Sequence, residues 1–359
     1  MTAKRTLTLL TIAAAAVLLL IPGCLERKET ITVDPEGGVR MDLHYSDDVT
    51  DFTDGDALPE ASTGWEVNDK DTVKDDGSVE RDRYALQSFA PGMPLPDSFA
   101  DPDSPDYAVS LRFPTTVTIE STPEGTFYHF KRVYEPREEA RYNVLRMKHK
   151  EMFDELDTLS SKEPEEMTET DRARIVEILR VIEAFKRVEF VATGAAAMED
   201  VWPQHYGLLL RQALLDYFEH ADVAPLLDLM TEPDTPQRDA DIDAFSKKLL
   251  ADSRDVLQAK LDELGVPAYQ ADQFFAATDE EETRRKVTED IGDDSFEISV
   301  TLPGKIVAYN GDSSEDNVAR WEFPGKALYD CEQVLMATSF LAASESMDPT
   351  PPTNEKKDE

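Results

Sequence analysis

Hydrophobic rhythm changes twice along this chain, and those two changes limit its fold more than any single motif. Ile31 and Val33, then Val39, Met41, Leu43 and Tyr45, alternate with polar neighbours such as Arg40, Asp42 and His44, the period of a strand buried on one face. Between them Asp34-Pro35-Glu36-Gly37-Gly38 is turn chemistry, so the stretch reads as a β-hairpin. A second hairpin is expected around Asp75-Asp76-Gly77, leading into residues 81–86. Tyr107, Val109, Leu111 and Phe113 alternate as a further strand ended by Pro114, Val117 and Ile119 begin the next, and Pro123-Glu124-Gly125 turns the chain into residues 127–134. Residues 90–106 carry Pro91, Pro94, Pro96, Pro102 and Pro105 and read as an extended loop.

At Pro136 the period lengthens. Tyr142, Leu145, Met152, Leu156 and Leu159 recur at helical spacings, and a new helix starts near Thr170 with Ile175, Ile178, Leu179, Ile182 and Phe185 on one face. Further helices are expected over residues 207–219, 242–264 and 269–277, broken by Pro203, Pro225, Pro233, Pro236 and Pro267. Alternation returns with Phe296, Ile298, Val300 and Leu302, continues after Pro303-Gly304 through residues 306–309, and closes with Ala319, Trp321 and Phe323 and a last segment over 334–340. Neither strand block can bury both of its faces alone. The expected fold is therefore α+β: a mostly antiparallel sheet built from N- and C-terminal strand blocks with a large helical insertion. The boundaries are a leader at 1–23, strand blocks at 24–134 and 292–343, the insertion at 135–291, and a polar, Pro-rich tail at 344–359 expected to be disordered. Two independent domains are the alternative, at the cost of unpaired strand edges.

The leader gives an address. Lys4 and Arg5 precede an apolar run from Leu9 to Ile21 interrupted by Thr11, the layout of an export signal and too short for a bilayer-crossing helix. Ile21-Pro22-Gly23-Cys24 follows directly and resembles the lipobox of bacterial lipoproteins. That resemblance implies cleavage before Cys24 and acylation at Cys24, which would tie the protein to the membrane almost permanently. The residue after the cysteine is Leu25 rather than aspartate, which favours the outer membrane in a Gram-negative host and leaves the protein facing the periplasm or the exterior.

Charge narrows the partners. With 75 acidic against 37 basic residues the chain carries a net −38, which argues against nucleic acid as a partner. The basic cluster Arg141, Arg146, Lys148, His149 and Lys150 is interleaved with Glu138, Glu139 and Glu151 and reads as a solvated helix face. Cys331 has no cysteine left to pair with once Cys24 is acylated, and within apolar-rich residues 327–340 it reads as a small buried side chain.

Motifs for chemistry are scarce. His44, His129, His149, His205 and His220 include no pair at the spacing of a helical zinc site. His44 and His129 are expected to hydrogen-bond at a surface or sheet edge. Neither Asp47, Asp48, Asp51, Asp54 and Asp56 nor Asp69, Asp71, Asp75 and Asp76 fits a calcium loop. No nucleophile elbow or phosphate loop occurs, so no catalytic residue, metal or cofactor is assigned. Trp65, Trp202 and Trp321 are the candidate binding residues. With Tyr107, Phe113, Phe127, Tyr128 and Phe130 they would either line a groove for an acyl chain or glycan or fill an ordinary core.

The lipobox, the hairpin after it, Val300-Thr301-Leu302-Pro303-Gly304-Lys305, Asn310-Gly311 and Trp321-Glu322-Phe323 together resemble LppM-type bacterial lipoproteins. The resemblance implies an extracytoplasmic domain that contacts lipids or glycolipids, hence binding rather than catalysis; the insertion at 135–291 departs from its compact pattern. The expected function is that of a non-enzymatic envelope lipoprotein binding a lipid, glycolipid or protein partner. The alternatives are a pure protein-interaction scaffold and a carboxylate-dependent hydrolase of envelope polymers.

Overall fold

Alternating segments pair as strands wherever a turn allows the chain to double back. The computed structural model describes residues 25–49, 52, 56–74, 78–162, 166–231 and 236–343, so the leader, Cys24 and the C-terminal tail lie outside the described residues. Strands β1 (Glu26–Val33) and β2 (Val39–Asp48) form the first hairpin. In its turn Asp34 Oδ1 accepts from the N–H groups of Glu36 and Gly38, and Gly37 takes a left-handed φ of 91° that a residue with a Cβ resists. β3 (Glu66–Val73) and β4 (Val79–Phe89) form the second hairpin, and β5 (Thr115–Thr122) and β6 (Gly125–Tyr134) the third.

The later strands are β7 (Ser295–Thr301), β8 (Lys305–Tyr309), β9 (Ser313–Glu315), β10 (Val318–Pro324) and β11 (Gln333–Ala342). The two blocks share two sheets rather than one. A seven-stranded sheet runs β3-β4-β2-β1-β7-β10-β9, and a four-stranded sheet runs β5-β6-β11-β8. Pairing is antiparallel except between β1 and β7. Inward residues of both sheets, among them Ile31, Met41, Tyr45, Phe130, Tyr134, Phe296, Ile298 and Trp321, form one core.

Residues 107–113 correct the sequence reading. Val109, Leu111 and Phe113 are buried as their alternation suggests, but the segment is a 3₁₀ turn, Pro105–Ala108, followed by irregular backbone. Its polar groups are satisfied off the sheets: Leu111 N–H donates to Asp56 Oδ1, Phe113 N–H to Asp97 O, and Arg112 O accepts from Glu135 N–H. Burial periodicity reports which side chains point inward, not which backbone completes a ladder.

The insertion is helical: α1 (Glu139–Lys148), α2 (Lys150–Ser160), α3 (Glu169–Ala197), α4 (His205–His220), α5 (Ala224–Thr231), α6 (Pro236–Glu263) and α7 (Ala268–Ile291). The first expected helix is broken at His149, whose ψ of 30° leaves the helical region. Thr168 and Asp171 form a reciprocal capping box at the start of α3. α7 runs well beyond Ala277, where apolar period gives way to charge but Arg284 reaches Glu280 and Arg285 reaches Glu289 one turn away. Residues 139–289 form a compact unit with its own core, including Ile178, Leu179, Leu210, Leu214, Phe218, Leu261 and Phe274. The strands and their connections form the other unit.

Candidate functional site

In β1 the inward phase that carries Ile31 and Val33 runs back through Glu29 and Arg27, so the strand alternation itself puts two charges inside. β6 does the same with Arg132, in phase with Tyr128, Phe130 and Tyr134. These groups meet between the sheets. Arg132 Nη1 donates to Glu29 Oε2 at 2.5 Å and to the Tyr134 hydroxyl at 3.1 Å, while its Nε donates to Thr115 Oγ1 at 2.8 Å. Arg27 Nε donates to Asp294 Oδ2 at 2.7 Å, and its Nη1 lies 3.7 Å from Asp56 Oδ2. Arg137 closes the set, 3.8 Å from Asp56 Oδ1 and donating to Val109 O at 2.7 Å.

Aromatic rings wall the network. The Arg27 guanidinium lies 5.4 Å from the Phe296 ring centre and 5.8 Å from that of Tyr45, and Arg132 lies 5.0 Å from Phe113. Three arginines thus face three carboxylates, and all six side chains are buried. Removing each ion from water costs several kcal/mol, which only close pairing offsets. At Asp294 burial wins over Arg27: desolvation, with Asp290 and Asp56 nearby, pushes its carboxyl up to about 8. Arg27 Nη2 and Arg132 Nη2 are buried with no hydrogen-bond partner among the described residues, positions suited to internal water. Shut away from bulk solvent, the Arg132–Glu29 pair clamps β6 of the four-stranded sheet to β1 of the seven-stranded one.

The aromatic candidates divide. Trp65 packs edge-on against Phe89 and Phe99 at 6.4 and 5.6 Å, and Trp321 packs on Phe130 at 6.3 Å while its indole N–H donates to Asn310 Oδ1 at 3.0 Å. Both belong to the core between the sheets, as do Phe113, Tyr128 and Phe130. Trp202 belongs to the helical core, against Phe274 at 5.3 Å, with its N–H on Gln270 Oε1 at 2.9 Å. Tyr107 is half-buried under Arg112 with its hydroxyl on Asp97, and Phe127 packs on Phe340 at 4.7 Å. A groove of about 390 Å³ lies on the helical unit between α3 and α5, lined by Arg172, Val176, Arg180, Leu227 and Asp228, with none of the candidate aromatics.

Other sequence candidates are occupied by ordinary partners. His44 Nε2 meets Asp82 Oδ1 at 2.9 Å and stacks on Tyr84, and His129 Nδ1 meets Thr338 Oγ1 at 3.0 Å, as surface strand histidines were expected to do. Asp69 and Asp71 receive paired hydrogen bonds from Arg83 and Arg81. Among the described residues no three metal-ligating side chains converge, and no helix is long and apolar enough to cross a membrane. Cys331 is exposed rather than buried, because it lies in the connection before β11, ahead of the strand's inward phase.

These features define an α+β protein with a two-sheet unit clamped by internal ion pairs and a separate helical unit. No family model matches the chain, and no curated protein matches it. Among solved structures it is similar to the NMR structure of the folded domain of the Mycobacterium tuberculosis LppM protein, aligned over 92% of this chain and 96% of that one at 11% identity, with a TM-score of 0.28.

Proposed function

We propose that this is a bacterial envelope lipoprotein, acylated at Cys24 and held on the outer face of a membrane, where it binds a partner without catalysing a reaction. The observation that carries the reading is the run from Lys4 and Arg5 through the apolar stretch to Ile21-Pro22-Gly23-Cys24. The non-enzymatic part is supported by Asp294: its carboxyl, raised to about 8, is enclosed rather than set in a cleft. Expression in a bacterial host with labelled palmitate, followed by mass analysis of the N-terminal peptide, tests the anchor. The wild-type chain is expected to carry label and sediment with membranes. A Cys24→Ser variant that behaves identically would overturn the reading.

A protein partner is favoured over a lipid ligand by one observation. The tryptophans proposed for a ligand groove are packed into two cores, whereas Leu208 and Leu215 on α4 stand two turns apart on one face, 63% and 37% exposed. Exposed leucines on a helix suit a docking protein better than a soluble surface. Crosslinking in the native envelope compares the wild type with Leu208→Asp/Leu215→Asp; loss of a specific adduct is expected, and an unchanged pattern counts against docking through α4.

A further inference from the structure

The groove between α3 and α5 follows from helical spacing. Arg172, Val176 and Arg180 succeed one another at intervals of four and so share one face of α3. Ala224, Leu227 and Asp228 line the opposite wall from α5. The trough holds about 390 Å³, within the range of small-molecule sites. Along α3 it runs ~12 Å from Arg172 to Arg180, at about 1.5 Å per residue. All of its lining residues belong to the helical unit.

Its two ends differ in charge. At one, Arg172 Nη1 donates to Asp228 Oδ1 at 2.9 Å, a pair that joins the two helices and cancels its own charge. At the other, Arg180 Nε donates to the Ala221 carbonyl at 3.0 Å, and among the described residues no carboxylate pairs with this guanidinium. The other three arginines of α3 each have one: Arg172 has Asp228, Arg174 has Glu155 and Glu177, and Arg187 has Glu282. Asp222, one residue from Ala221, is used elsewhere, its Oδ1 accepting from Ala224 N–H at 3.2 Å. A guanidinium carries five donors in a planar fork, so Arg180 keeps both Nη groups for a further partner.

We propose that this groove binds a small organic acid, with its one carboxylate on Arg180 and its apolar body over Val176 and Leu227. Charge complementarity selects the head: a carboxylate matches the guanidinium fork with two parallel hydrogen bonds. It also limits the head to a single charge. Arg172 is matched by Asp228, and Arg174 is shared by Glu155 and Glu177, so Arg180 alone would face the second charge of a phosphate monoester, in a chain of net −38. The apolar floor and the Arg172–Asp228 pair select the body, which spans at most two helical turns beyond the carboxylate. The site shares no residue with the α4 leucines or with Cys24, so its failure leaves the docking and anchor readings intact.

The test uses the full chain in phosphatidylcholine nanodiscs, with valine and leucine methyl groups labelled for NMR and the free probe concentration fixed by dialysis. Octanoate is the probe; octan-1-ol offers the same body without the charge, and acetate the charge without the body. Saturable shifts are expected at the Val176 and Leu227 methyls and not at Leu214, with octanoate at least tenfold tighter than either control. Arg180→Gln keeps a donor for the Ala221 carbonyl but loses the charge. It is expected to weaken octanoate at least tenfold and to leave octan-1-ol unchanged, with Arg180→Lys in between. Val176→Trp, which fills the trough, is expected to abolish the Leu227 shift. An unchanged thermal midpoint identifies the variants that fold, and either Arg180 variant suffices for the comparison. No saturable shift with octanoate, equal affinity for octan-1-ol, or undiminished octanoate affinity in a folded Arg180 variant overturns the proposal.

Discussion

The strand unit and the helical unit place the same charged residues differently. Both are rich in arginine and carboxylate, but the sheets carry Arg27, Glu29 and Arg132 on inward strand positions, while the helices set pairs such as Arg174 with Glu155 and Lys150 with Asp154 on their outer faces and bury Glu183, Glu281 and Arg285 beside an apolar core. Geometry explains the difference. A strand offers every second position to the interior, so a charge in the inward phase has no way out; a helix can turn an unwanted charge to solvent within one or two residues. The lesson is that an internal charge in the strand unit must be matched by another element, as Arg132 of β6 matches Glu29 of β1.

Breaking the clamp should give the largest effect. Arg132→Met leaves Glu29 buried without its 2.5 Å partner and is expected to cost about 3–5 kcal/mol. Chemical denaturation reads this in a Trp202→Phe chain, where Trp65 and Trp321 report on the strand unit. Adding Glu29→Leu should recover most of the loss, because removing both charges leaves no unpaired ion. A double variant as unstable as the single one would mean that the arginine matters through packing alone.

The helical core offers the contrasting perturbation. Leu214→Ala opens a hole at a fully buried position and is expected to cost about 2–5 kcal/mol. A chain with Trp65→Phe and Trp321→Phe, leaving Trp202 as reporter, measures it. No charge-removing second substitution should rescue this loss, which separates cavity formation from charge orphaning.

Two carboxyls, Asp294 in the strand unit and Asp171 in the helical unit, should also answer pH with opposite signs. Asp294 is raised from 3.8 to about 8 by burial, so the folded strand unit holds its proton more tightly than the unfolded chain. Its contribution is complete below about 3.8 and is lost as pH rises through about 8. Asp171 is lowered from 3.8 to about 2 by hydrogen bonds from Lys162 and from the backbone and hydroxyl of Thr168. Its contribution is present above 3.8 and is lost as pH falls through about 2. Comparing wild type with Asp294→Asn should therefore flatten the Trp65/Trp321 stability curve between pH 4 and 8 and leave the Trp202 curve unchanged. A slope that survives the substitution would assign the pH response to another group.

Much of this architecture was legible because period reports burial. The hairpins at Asp34–Gly38 and Gly125, the helical stretch and the returning strands all follow from it. The clamp was legible in principle: continuing the Ile31 and Val33 phase by two steps lands on Glu29 and Arg27. It escaped notice because charged residues at a strand's start read as solvent-facing unless their partners are known, and those partners, Arg132 and Asp294, lie 103 and 267 residues away. Trp65, Trp202 and Trp321 could not be sorted into groove or core by composition, since an aromatic ring on an inward position looks the same in either setting. The backbone at 107–113 was opaque for the converse reason: its inward side chains obey strand period while its hydrogen bonds go to loop groups.

The smallest expected effect sharpens the comparison at the surface of the helical unit. Thr168→Ala removes the hydroxyl that caps Asp171 N–H and frees one of the first-turn donors of α3. About 1 kcal/mol should be lost at the Trp202 reporter. The Asp171 carboxylate keeps its bonds from the Thr168 backbone and from Lys162, so its pH response should weaken without vanishing. Because the cap lies on an exposed helix start and the clamp inside a closed core, the same removal of one polar partner should cost several times less here than at Arg132, and equal losses would show that burial does not set the difference.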